Sequence, residues 1–157
     1  MIQRVQTIYL LLAAMLTGAM LCLPIASFLA GGQEYHLTPF GLTSAAATET
    51  PAIQMLCVMG WAVVLAILVP LITIFLFKKR PLQMRLCLAE IVLLIGVQAL
   101  VLYFTRQVSG SLEGFSGGSW SFSIAAVFPI VSIIFTILAR RAIAQDEKLV
   151  RSTDRIR

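Results

Sequence analysis

The sequence has few charged residues: Asp, Glu, Lys and Arg make up 12% of its 157 residues, whereas hydrophobic residues make up 59%. A typical soluble domain carries about twice that share of charge. The mean hydropathy of +0.94 is correspondingly high. These proportions argue against a soluble globular domain, and they indicate that a lipid bilayer surrounds most of the chain.

Residues that commonly build catalytic and metal sites are also scarce. The sequence has one histidine, His36, and three cysteines that show no CxxC spacing. No GxSxG, HExxH or Walker motif occurs, so the familiar hydrolase, metalloprotease and nucleotide-binding signatures are absent. We therefore expect no disulfide framework, no metal site, no cofactor and no enzymatic activity.

What the sequence does contain is four apolar runs, each long enough to cross a bilayer as a helix of about 20 residues. They predict helices at about 5–29, 52–77, 82–105 and 120–139. The first run is too long for the apolar core of a secretory signal peptide. The fold prediction is an all-α, integral membrane four-helix up-down bundle at 1–139. A charged helix or tail at 140–157 follows it, and the first outer loop has room for a short β-hairpin.

Basic residues predict how this bundle is oriented. All but one of the 12 Lys and Arg residues flank the same ends of the predicted helices as the two termini, and Arg106 alone lies at the other end. Lys and Arg accumulate on the cytoplasmic side of membrane proteins. Both termini are therefore predicted to be cytoplasmic. That answer requires an even number of spans, which agrees with the four apolar runs. The net charge of +5 belongs to this pattern and does not indicate a nucleic-acid partner.

Glu90 is the most informative single residue, because it lies inside the third predicted span, nine residues after Pro81. Ionisable groups within a span are costly and usually face the bundle interior. One interpretation is structural, with Glu90 pairing with Arg4 to hold the third helix against the first. The other is proton or cation handling, for which Gln98 would extend a polar flank towards the outer side.

Two further features lie in the last helix and in the tail. Ser132 and Thr136 can hydrogen-bond across helices or to their own backbone. Beyond them, the apolar residues of the tail are spaced to form a narrow seam on a helix, and they are Ile143, Leu149, Val150 and Ile156. The basic residues of the tail favour anionic lipid headgroups, whereas its mixed charge together with the seam favours docking of a cytosolic or membrane protein partner.

Both ends of the chain resemble a known family. The segments are Met1 to Leu10, Arg141 to Ile143, Asp146 to Ser152, and Asp154 with Arg155. They are similar to a Bacteroidota membrane family with four predicted spans, domain of unknown function 4293, and the resemblance covers the whole chain. It implies a location in the inner membrane of a diderm bacterium, and it supplies no activity, cofactor or catalytic residue.

No residue pattern specifies an activity, so the function stays unknown at this stage and two hypotheses are carried forward. The first is a non-catalytic integral membrane subunit or scaffold whose cytoplasmic tail docks a partner. The second is a small transporter or channel, formed by self-association, that uses Glu90. An enzyme is not expected, because no nucleophile, base and stabilising group can be assembled from these residues.

Overall fold

A computed structural model describes residues 3–30, 32–44, 56–76, 80–112 and 119–154 as four long helices and one small sheet. The helices are α1 (Gln3–Cys22), α2 (Leu56–Phe75), α3 (Arg80–Leu112) and α4 (Phe128–Asp154). The strands are β1 (Ala26–Ala30), β2 (Gln33–Thr38), β3 (Gly41–Ser44) and β4 (Ser119–Phe122), and a 3₁₀ turn at Ile124–Val127 leads into α4.

Each of the four helices is long and apolar enough to cross a membrane. The qualifying stretches are Val5–Cys22, Cys57–Phe75, Pro81–Gly110 and Ile124–Glu147. Packing is cyclic: α1 packs mainly against α2 and α4, and α3 packs against the same two helices. As a result α1 and α3 stand at opposite corners of an up-down bundle. The prediction of four long apolar helices is confirmed.

The expectation of an all-α fold is corrected by a four-stranded antiparallel sheet of order β3-β2-β1-β4. The β2–β3 hairpin corresponds to the hairpin for which the first loop had room. Strand β1 was instead expected to be the outer end of the first helix, and β4 the start of the last one. These two strands pair directly, with Ala26 opposite Phe122. The sheet therefore joins both connections at the end of the bundle opposite the termini.

Proline explains why α1 ends at Cys22 rather than near Leu29. Pro24 has no backbone N–H, and it disfavours helical geometry at the preceding residue. The next residue, Ile25, donates its backbone N–H to Leu37 (2.7 Å) and accepts from the Ser123 N–H (2.9 Å). Beyond it Ala26 and Phe28 are buried while Leu29 is exposed, as strand alternation requires. Sheet pairing thus replaces the hydrogen bonds that a longer helix would have made.

The other boundaries also differ from the sequence prediction. Helix α3 has 33 residues and continues to Leu112, and α4 has 27 residues and runs through the expected tail boundary at 139 to Asp154. At 1.5 Å per residue these helices measure about 50 and 40 Å, which exceeds a hydrocarbon core of about 30 Å. The predicted start of the second helix, at 52–55, and the basic turn at 77–79 lie outside the described residues.

Candidate functional site

The interior of the bundle is the candidate site, because one face of α3 lines it with a regular 3-4 spacing. The buried residues of this face are Gln83, Cys87, Glu90, Leu94, Val97, Val101, Phe104 and Val108. Such spacing defines a helix face that packs against its neighbours. Glu90 therefore occupies a core position between Cys87 and Leu94. It is a carboxylic acid where a packing residue is normally apolar.

Glu90 is only 1% exposed, so its carboxyl group is almost completely buried. Among the described residues, neither of its carboxyl oxygens has a hydrogen-bond partner. A buried polar group without a partner costs about 1–3 kcal/mol by protein mutational data. Within the described residues, apolar packing alone therefore does not explain why a carboxyl group occupies this position.

The partner expected for Glu90 was Arg4. Helix α1 includes Arg4 in its backbone, but the Arg4 side chain lies outside the described residues, so the pairing stays a prediction. Gln98, expected to extend the polar flank, is half-buried beside the apolar Val97. Its side-chain oxygen Oε1 is buried without a hydrogen-bond partner in the described part of the chain, and the same holds for Nε2 of Gln6 on α1.

A second polar cluster joins α1 to α4. Thr17 and Ser132 are both fully buried, and their hydroxyls lie 3.2 Å apart. The Ser132 hydroxyl also donates to the backbone oxygen of Ala13 at 3.3 Å, and Thr136 donates to the backbone oxygen of Ser132 at 2.8 Å. Both hydrogen-bonding modes expected for Ser132 and Thr136 are thus present, one across helices and one within α4.

Gln83 lies on the same face of α3 as Glu90, and, in contrast to Glu90, its side chain has a hydrogen-bond partner among the described residues. Its side-chain Nε2 donates to the backbone oxygen of Thr73 at 3.0 Å. Thr73 lies in the last turn of α2, where backbone carbonyls lack partners within the helix. Sequence reasoning missed Gln83, although its place seven residues before Glu90 was a usable signal.

The apolar seam expected on the tail is interrupted at its first residue. Ile143 is 1% exposed, and it packs inside the bundle in a cluster with Leu10, Cys87 and Ala139. The reason is that α4 does not end near Ala139. Ile143 lies one helical turn further along the same face. Ile143 is therefore a bundle residue. The side chains of Leu149 and Val150, and the whole of Ile156, lie outside the described residues.

His36 and the cysteines form no cluster in the described ranges. The Nδ1 atom of His36 lies 3.1 Å from the hydroxyl of Ser27 on the adjacent strand, and its Nε2 atom lies 4.0 Å from Glu34. Cys22 and Cys57 are exposed, whereas Cys87 is buried. No group of three or more His, Cys, Asp or Glu side chains within these ranges is arranged to hold a metal ion.

Two comparisons with known proteins bear on this arrangement. A search of curated proteins found no match. A family model described as "Domain of unknown function (DUF4293)" matches residues 2–156, nearly the full length of the chain. The match includes all four helices, the sheet and Glu90, and the family description names no activity. The chain belongs to the DUF4293 family.

Proposed function

We propose that this protein is a multi-pass protein of a bacterial inner membrane, as its resemblance to Bacteroidota sequences implies, with both termini in the cytoplasm. The four apolar helices support insertion, and each presents large apolar side chains to its surroundings, as Met15, Trp61, Val92 and Ile134 show. The concentration of Lys and Arg at the terminal end of the bundle supports the orientation. The sheet then lies on the periplasmic side.

A tag fused after Arg157 tests the orientation. In inverted inner-membrane vesicles we expect added protease to remove the tag, because the terminus faces outwards there. In intact spheroplasts the tag should be protected. The reverse pattern of protection would overturn the proposed topology.

The function that the geometry supports best is proton or cation transport, by a small transporter or channel that forms by self-association. One observation carries this proposal, namely the burial of the Glu90 carboxyl among apolar residues without a hydrogen-bond partner in the described chain. A carboxyl inside a span can take up and release a proton or a cation, and ionisable groups at such positions characteristically mark ion pathways. Four spans with one acid rarely enclose a pathway alone, which is why self-association is part of the proposal.

A flux assay in liposomes tests this function. The protein is reconstituted around a pH-sensitive dye, and a potassium diffusion potential drives proton entry. We expect proton entry above that of empty liposomes, and Glu90→Gln should return it to that level. Thr105→Val is the matched control, because Thr105 is buried on the same helix and its hydroxyl donates to the backbone oxygen of Val101 within that helix, at 2.8 Å. Equal flux in wild type and Glu90→Gln, or a monomer without flux, would refute the proposal.

The second candidate is a non-catalytic membrane subunit that docks a partner through the cytoplasmic end of α4. The observation in its favour is that α4 continues unbroken to Asp154, eleven residues beyond the buried Ile143. A helix continuous with the bundle can hold a partner at a fixed position. Purification of the tagged protein from its own membrane in mild detergent tests this candidate. A stoichiometric partner that is lost when 146–157 are deleted would support docking, whereas identical co-purifying proteins with and without this segment would contradict it.

A further inference from the structure

A cavity of about 460 Å³ opens at the sheet end of the molecule, between the last turns of α3 and strand β4. Its lining is mixed. Leu102, Trp120 and Phe122 form an apolar wall, and Arg106 adds a positive charge. Thr105, Ser109 and Gly110 complete the lining. The cavity is remote from Glu90, which lies four helical turns earlier on α3.

The two aromatic side chains of the apolar wall contact each other. The rings of Trp120 and Phe122 pack edge to face, with centroids 5.0 Å apart and planes at 87°. Each side chain nevertheless remains about half exposed, at 48% and 47%. Edge-to-face contact is a preferred arrangement of two aromatic rings. The wall therefore offers a preformed apolar surface to a ligand.

Arg106 is available to a ligand as far as the described chain shows. Its side chain is exposed, and the described acidic residues include no ion-pair partner for it. Glu34, which lies in the sheet, is instead within 4.0 Å of His36. Because Arg106 is the one Lys or Arg among the described residues at this end of the molecule, an anion that binds here would be drawn to it.

The position of the cavity relative to the bilayer indicates the kind of anion. At 1.5 Å per residue, Leu102 and Arg106 lie about 33 and 39 Å along α3 from Arg80. With a hydrocarbon core of about 30 Å, the cavity spans the outer edge of that core and the headgroup layer. Tryptophan also favours this level. We propose that the cavity binds an anionic amphiphile, with its charged group on Arg106 and its chain against Leu102, Trp120 and Phe122.

The fluorescence of Trp120 provides a direct test. Trp61→Phe removes the other tryptophan, so that Trp120 alone reports. The protein is placed in phosphatidylcholine nanodiscs that contain increasing amounts of brominated phosphatidylglycerol, and separately of brominated phosphatidylcholine. We expect phosphatidylglycerol to quench at a lower mole fraction. Arg106→Gln should abolish the preference by raising the midpoint about tenfold, since a charge-assisted hydrogen bond is lost. Arg85→Gln, which alters an exposed arginine at the other end of α3, should leave it unchanged.

Two results would overturn the inference. Equal quenching by the two lipids would show that charge plays no part in binding. Loss of the preference on addition of inorganic phosphate would identify a site for small anions instead of an amphiphile. The inference rests on the proposed membrane insertion but not on ion transport, because proton flux through Glu90 is measured separately and either result can fail without the other.

Discussion

Replacing Glu90 by methionine is expected to stabilise the bundle. The carboxyl is buried, and its oxygens lack hydrogen-bond partners in the described chain, so an apolar side chain of similar length removes a desolvation cost and keeps the packing. The gain should be about 1–3 kcal/mol in the free energy of unfolding. It can be measured by thermal or denaturant unfolding of the purified protein in mild detergent.

The matched control is Gln83→Met on the same buried face. Gln83 donates to the backbone oxygen of Thr73, and its loss leaves that carbonyl without this donor. We expect a loss of about 0.5–1.5 kcal/mol, the net contribution of a typical hydrogen bond. Opposite signs for the two variants are therefore the expected result. If Glu90→Met destabilised the bundle by several kcal/mol, Glu90 would have a charged partner, and Arg4 would be the first candidate.

The two outcomes also separate the interpretations of Glu90. A residue that pairs structurally should make the bundle less stable when it is removed. If Glu90 is instead retained for transport, its replacement should make the bundle more stable and should eliminate proton flux. Replacing a functional residue commonly has this combination of effects. Measuring stability and proton flux on the same Glu90→Met variant thus tests the structural and the transport interpretations together.

Local patterns in the sequence were sufficient to predict the bundle. Apolar runs and turn residues predicted four helices, and the short hairpin considered for the first outer loop corresponds to β2 and β3. The burial of Glu90 also followed from local information, because it lies within a long apolar run. These features depend on residues close together in the chain, where composition and spacing largely determine the structure.

The sheet could not be predicted in the same way, because one of its two inner strands, β1, pairs with the distant strand β4. Residues 26–30 are apolar enough to continue a helix, and they form a strand because β2 and β4 satisfy their backbone on both sides. Trp120 was likewise predicted to be near the start of the last helix, and it lies in a strand because β4 pairs with β1. Ile143 was misjudged for a related reason, since only packing against Leu10 and Cys87 distinguishes a bundle residue from an exposed seam.

The sheet also creates the second large expected effect, at Gly60. This glycine is buried on α2, and a Cβ atom added there would overlap the ring of Phe40, which lies in the turn between β2 and β3. Phe40, in the turn of the hairpin, therefore packs against α2 at Gly60. Gly60→Ala should force the ring aside at a cost of about 1–3 kcal/mol, larger than the gain of about 0.5–1 kcal/mol that alanine brings to a helix.

Gly18→Ala and Gly96→Ala are the controls, because a Cβ atom at either position meets no other group within 4 Å. Both should stabilise the protein by about 0.5–1 kcal/mol. A double-mutant cycle then identifies the clash, since in a Phe40→Ala background Gly60→Ala should also become stabilising. If Gly60→Ala cost the same in both backgrounds, Phe40 would not be the group displaced. The expected change of sign would instead show that the sheet and the bundle are coupled through this contact.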